Sequence, residues 1–409
     1  MNKLNDPKII LHIGEGKTGS TSIQQYLFEN KEYLLSKDII YLTPENSINH
    51  NILHQIGLDI DLLKLKKEQL KSIEEEKPRC QKLFFDIQSL INDDTKAIII
   101  SSECIFGISA QTILIFLKQF FPKNDLEVIA YIRDPLSRYT SYVNQRLYKT
   151  HQYLTPFTYK KDVYAPIDLW IKSIGRDKVH ALPFSSKTLE FSDAVVDFIN
   201  RLNLILNFTD NHNKIDSISN IGKYRRNISL TVEQLIVIQN FRLIFLKNGN
   251  GKITPRLRTL INFFKELNHI QRIGNKFKLK KSVSQILLKN SYKYFSQISK
   301  EYPQFSCFKE IFEEVENENI IPQNKNNANE QVSILEVSEN YNNKILCLYA
   351  YLCLPLTTKT EENIFINTQK LIKYTEYNLI AESFILEYIK EQINILKNTN
   401  SFKEQIILF

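Results

Sequence analysis

Lys17 stands in a glycine-spaced run, Gly14-Glu15-Gly16-Lys17-Thr18-Gly19-Ser20-Thr21, whose residue types suit one task, the holding of an anion. Glycine strips away the bulk that keeps backbone N–H groups from turning inward on a ligand, and a helix opening at Ser20 adds the partial positive charge of its N-terminus. Lys17 supplies a full charge. A Walker A loop needs a glycine five positions before its Gly-Lys pair, and Leu11 occupies that place, so Gly16-Lys17-Thr18 copies only the end of the ATPase motif. The bland reading of the same residues is a tight strand-to-helix connection with a solvated lysine. His50 and His54 share i, i+4 spacing but lack the glutamate of HExxH, which argues against a zinc site.

The elements that must position this loop follow from hydrophobic periodicity. The apolar run Ile9 to Ile13 predicts a strand ahead of it, and Ile23, Leu27, Tyr33 and Leu34 predict a helix behind it to about Ser36. Further strands are predicted at Ile39 to Leu42, Ala97 to Ile100, Asp125 to Arg133 and Lys178 to Phe184. Helices are predicted between them: a charged excursion from about Leu62 to Ile91 with a break near Pro78, one from Gln111 to Phe121, one begun by Asp134 and Pro135, and one through Ala194, Phe198 and Leu202. Short apolar strands alternating with helices predict an α/β fold: a three-layer parallel sheet, core about 8–184, with helices on both faces. Ligands in such sheets sit beyond the carboxyl ends of the strands. From about Leu230 the pattern is helical, with Leu235, Ile238, Phe241 and Phe245 on one face. The expected organisation is a main domain over 1–316, a polar linker over 317–331 and a helical C-terminal extension over 332–409, where Leu371, Tyr374, Leu379, Phe384, Ile385 and Ile389 form an apolar stripe.

The arrangement of strand, Gly14, Lys17-Thr18-Gly19-Ser20-Thr21 and helix resembles the 5′-phosphosulfate loop of sulfotransferases that use 3′-phosphoadenosine-5′-phosphosulfate. A second stretch, Ile132 to Arg146 (IRDPLSRYTSYVNQR), resembles the 3′-phosphate-binding segment of the same family, in which an arginine ends a strand and a serine follows eight positions later. Here these are Arg133 and Ser141. A guanidinium can fork onto two phosphate oxygens while a hydroxyl donates to a third. The competing reading pairs Arg133 with Asp134 or a neighbouring carboxylate and leaves Arg138 on an exposed helix face. Lys223, Arg225 and Arg226, in the run Tyr224 to Thr231, resemble the family's later basic segment and read equally well as a solvated turn.

The resemblance covers about Lys8 to Phe184 and implies a P-loop-like sulfotransferase fold of the bacterial carbohydrate type. It implies donor contacts from Gly14, Gly16, Lys17, Thr18, Gly19, Ser20, Thr21, Arg133 and Ser141, with the donor as co-substrate and no metal. The implied reaction moves a sulfuryl group to a hydroxyl or amine, the acceptor being a carbohydrate or glycan. Lys17 then stabilises the departing phosphate, and a base removes the acceptor proton. Glu103, just after a strand, is the first candidate for that base, His50 the second, and His54 and Glu45 follow.

Lysine and arginine number 53 against 45 acidic residues, a formal charge of +8 spread along the chain without blocks. That agrees with an anionic ligand and gives no sign of a nucleic-acid partner. Five cysteines without CxxC spacing predict reduced thiols and a cytoplasmic setting. Asp6 and Pro7 precede a short apolar run read as a strand instead of a signal peptide, and Ile345 to Leu356 is too short to span a bilayer. Two other readings remain open: a P-loop nucleotide kinase or NTPase, and a non-catalytic nucleotide-binding assembly protein that acts through its helical C-terminal part.

Overall fold

The structure, a computed structural model, describes residues 7–58, 67–123, 125–149, 154–209 and 277–316, with isolated positions between 214 and 268. Five strands, β1 (Lys8–His12), β2 (Ile39–Ile40), β3 (Ala97–Ser101), β4 (Leu126–Arg133) and β5 (Val179–Phe184), form one sheet in the order β2-β3-β1-β4-β5. Every neighbouring pair is parallel. The helices in chain order are α1 (Ser20–Glu29), α2 (Lys31–Leu35), α3 (Leu53–Leu58), α4 (Lys67–Ser89), α5 (Ala110–Phe120), α6 (Pro135–Lys149), α7 (Tyr164–Ile174), α8 (Ala194–Ile205), α9 (Lys281–Glu301) and α10 (Lys309–Glu316).

Strand alternation sorts the side chains into two apolar layers, because successive residues point to opposite faces. Ile9, Leu11, Ile98, Ile100, Val128, Ala130, Ile132, Val179 and Ala181 pack on one face against α3, α4, α5 and α7 and the later part of α9. Ile10, Ile39, Ala97, Ile99, Ile129, Tyr131 and Leu182 pack on the other against α1, α2 and α8. Both faces are covered, which is why the strands read as continuous apolar runs. At about 1.5–3 kcal/mol for each large aliphatic or aromatic side chain removed from water, these layers supply the main stabilisation of the sheet.

The chain divides into two compact units. The first takes Met1–Arg138, Lys160–Asn227 and Leu288–Ile320 and holds the whole sheet; the second takes Tyr139–Tyr159, Ile228–Leu287 and Ile321–Phe409. Within the second, Tyr139, Tyr142 and Tyr159 group with ring centroids 4.9–6.2 Å apart. Gln234 and Asn268, both buried, exchange amide hydrogen bonds of 3.0 and 2.9 Å.

Three local expectations change. The helix behind the loop is two helices, because Asn30 leaves helical geometry and its side chain donates to the Tyr26 carbonyl at 2.8 Å, ending α1. The predicted break at Pro78 does not occur: Pro78 lies inside α4, whose apolar residues Cys80, Leu83, Phe84 and Ile87 are all buried in the core. Helix α7, with the fully buried Trp170, was not anticipated. Lys223, Arg225, Arg226, Phe241, Phe245 and the whole of 317–409 lie outside the described residues, as does Leu62, the expected start of the charged excursion.

Candidate functional site

The loop leaves the central strand β1 and enters α1 on the face opposite the helices that follow β3 and β4, so it stands at the switch point of the sheet. It is pinned from below: the Ile13 and Glu15 amides donate to the Ile129 and Tyr131 carbonyls of β4 at 2.9 and 3.0 Å. Two residues take left-handed backbone, Lys17 (φ 72°) and Gly19 (φ 77°), and between them Thr18 closes a turn, its amide and hydroxyl both donating to the Glu15 carbonyl. Among the described residues, the backbone N–H groups of Gly16, Lys17, Gly19, Ser20 and Thr21 have no acceptor. The first turn of α1 joins the loop in presenting donors and partial positive charge at one place. Lys17 is half-buried, and no carboxylate pairs with it among the described residues.

Glycine is required at both ends of this loop. A Cβ on Gly14 would lie 2.6 Å from Thr18 Oγ1 and 2.7 Å from Ser20 Oγ. One on Gly19 would lie 2.7 Å from the Ala194 Cβ and 3.2 Å from the Phe184 ring, at a φ that side chains resist. Gly16 has open space around it and is exposed.

Arg133 ends β4. Its guanidinium lies over the Phe184 ring, 4.9 Å from the centroid, and that ring is the one set against Gly19. The stacking therefore brings Arg133 to the C-terminal end of the loop. No carboxylate forms an ion pair with it among the described residues, and burial pulls its pKa down from the usual arginine value against the opposing pull of Asp134 and Glu15. The alternative pairing with Asp134 is not present. Asp134 instead caps α6, accepting from the Leu136 and Ser137 amides at 3.0 and 2.9 Å and from the Ser137 hydroxyl. Ser141 is half-buried on α6 in the second unit, one turn beyond Ser137.

Arg138 is not on an exposed face. It is 4% exposed, packs over Phe295 and pairs through Nη1 with Glu15 at 3.3 Å. Glu15 was missed in the sequence and is the most connected residue of the loop. Only 1% exposed, its carboxylate also meets Lys161 at 3.1 Å and accepts the Arg133 amide at 3.4 Å. An acid inside a glycine-lysine loop was the available signal, since a carboxylate buried there needs compensating cations.

The proposed proton acceptors fare differently. Glu103 opens a 3₁₀ turn directly after β3, where the Ser102 amide donates to the His12 carbonyl, so it stands at the same sheet edge as the loop. It is half-buried, with no cation paired to it among the described residues. His50 is fully buried with both ring nitrogens engaged: Nε2–H donates to the Leu42 carbonyl at 2.8 Å and Nδ1 accepts the Ser101 amide at 3.1 Å. Burial pulls its pKa down to about 4. That imidazole holds the segment after β2 to β3 and has no free nitrogen for an acceptor proton. His54 is half-buried on α3, and Glu45 is exposed in a turn.

Beneath the loop, His12 ends β1 fully buried, with Nδ1 2.8 Å from Ser101 Oγ and its ring against Tyr131 and Phe198. Among the described residues no group of three His, Cys, Asp or Glu side chains could hold a metal ion, and no helix is long and apolar enough to cross a membrane. No family model, no curated protein and no solved structure matches the chain.

Proposed function

We propose that this chain is a sulfotransferase with a P-loop-like fold, taking a sulfuryl group from 3′-phosphoadenosine-5′-phosphosulfate and passing it to a hydroxyl or amine, with a carbohydrate or glycan as the acceptor class. One observation carries the reading: five backbone N–H groups that have no acceptor among the described residues gather around one loop with Lys17 and Arg133, neither of which has an ion-pair partner among those residues. Such donors fit phosphate oxygens, and Arg133, set apart from the loop by the Phe184 ring, fits a second phosphate on the same ligand. The acceptor class rests on the family likeness alone.

Glu103 takes the proton of the acceptor hydroxyl. The freed oxygen attacks sulfur, an O–S bond forms, and the bond from sulfur to the 5′-phosphate oxygen breaks with its electron pair left on that oxygen. Lys17, the loop amides and the hydroxyls of Ser20 and Thr21 hold the charge that develops there, whereas the Thr18 hydroxyl, expected to join them, is already engaged by the Glu15 carbonyl and shapes the loop instead. Cys80, Cys104 and Cys307 are free thiols, which supports a reducing, cytoplasmic setting.

Adenosine 3′,5′-bisphosphate should raise the melting temperature by several degrees at about a hundred times its Kd. ADP, lacking the 3′-phosphate, should raise it much less, and Arg133→Ala should erase the difference. In the same preparation Lys17→Ala should abolish transfer of labelled sulfate to a panel of sugars and lipid-linked glycans. Equal shifts with both nucleotides would favour a nucleotide kinase, and transfer surviving in Lys17→Ala would remove the assignment.

A further inference from the structure

Two buried polar atoms near the loop, His12 Nε2 and Ser20 Oγ, have no hydrogen-bond partner among the described residues. Both converge on Gly14, where an added Cβ would lie 2.7 Å from Ser20 Oγ and 3.4 Å from His12 Nε2. Leaving such groups unsatisfied costs about 1–3 kcal/mol each, so the pair asks for a role. The other side of the imidazole is fixed. His12 Nδ1 lies 2.8 Å from Ser101 Oγ, and the Ser101 amide is held by the buried His50. With its pKa pulled down to about 3 by burial, His12 is neutral and carries one N–H.

We propose that His12 is a positioning residue for the anion loop: its Nε2–H donates to Ser20 Oγ, so that the Ser20 hydroxyl proton points at the bound anion. The tautomer follows from the chain of donors. Ser101 O–H donates to Nδ1, Nε2–H donates to Ser20, and Ser20 donates to the ligand, each bond polarising the next in one direction. The contact closes when the anion seats, as hydrogen bonds at such sites tighten on binding. The opposite tautomer would draw the Ser20 proton into the core and turn its lone pairs toward the anion. The proposal rests on the anion-loop reading and adds a residue that touches no ligand.

Glutamine places an amide N–H near the position of His Nε2, whereas asparagine reaches only that of Nδ1. Binding of adenosine 3′,5′-bisphosphate and of pyrophosphate, measured by calorimetry, should weaken about tenfold in His12→Phe and His12→Asn and stay within about threefold of wild type in His12→Gln. In a Ser20→Ala background, changing His12 to Phe should add no further loss, since the hydroxyl it orients is gone. Should His12→Phe fail to fold, the comparison of glutamine with asparagine carries the test. Equal behaviour of those two variants, or independent losses from His12 and Ser20, would overturn the proposal. A wild type that binds pyrophosphate but does not prefer the bisphosphate to ADP would remove the sulfotransferase reading and leave the coupling readable from pyrophosphate. Binding of neither would remove both.

Discussion

Glu15 puts a negative charge in the loop proposed here to receive an anion, and its surroundings resolve the conflict. Arg138 at 3.3 Å and Lys161 at 3.1 Å outweigh it, and the amide it accepts ties the loop to Arg133. The carboxylate thus serves as a tether between loop, strand and helix instead of as a ligand group. Glu15→Ala should lower stability by about 3–5 kcal/mol, because it strands the buried Arg138 without a counter-charge. Glu15→Gln, whose one remaining carbonyl oxygen can still accept from the Arg138 guanidinium while the acceptor facing the Arg133 amide is lost, should lose less. A denaturant midpoint for Glu15→Ala equal to that of wild type would refute the tether.

At the level of elements, the loop depends on how closely α1 and α8 approach. Gly19 sits against Ala194, the first residue of α8, whose start is fixed by Asp193 accepting the Val195 and Val196 amides at 2.9 and 3.4 Å. Gly19→Ala should therefore cost about 1–3 kcal/mol of stability, measured by thermal unfolding, and, under the proposed function, loosen nucleotide binding as Phe184 is displaced. An unchanged melting temperature would show that the two helices can part freely. The strands, their parallel direction and the loop were legible in the sequence because each apolar run is short, bounded by polar residues and followed by a helix, whereas the order of the strands in the sheet was not. Arg133 at a strand end was legible for the same reason. Phe184, Glu15 and His12 were not read as site residues, since their parts depend on which strands become neighbours across the sheet. The burial of His50 was equally hidden: a polar loop in sequence is folded under by two backbone hydrogen bonds.

For the whole molecule, the two buried histidines set a pH limit. His12 and His50 are held neutral, with pKa values near 3 and 4, while an unfolded chain would titrate them near 6.5. Folded pKa values below the unfolded ones mean that the unfolded state binds more protons as pH falls. Stability is then full above about pH 6.5 and declines toward pH 4, by up to about 1.4 kcal/mol per pH unit for each histidine. Asp125 and Glu127 act in the same sense at lower pH. The hydrogen bond from Lys178 pulls Asp125 down, while for Glu127 burial pushes up and the bonds from His180 and Lys8 outweigh it. Their contribution is lost only as pH falls through those lowered values. Denaturant midpoints measured between pH 7 and 4.5 should fall steadily in wild type and less steeply in His50→Asn; parallel slopes would show that His50 takes up its proton without unfolding.

Phe184 touches both the glycine that closes the loop and the guanidinium at the end of β4. On the proposed reading, one aromatic ring works as a gauge block between two cationic grips, and the span of molecule they would hold together is set by a hydrocarbon with no charge of its own. If the proposed function holds, altering the bulk at that single position should retune which doubly anionic compounds are admitted while every polar group stays in place.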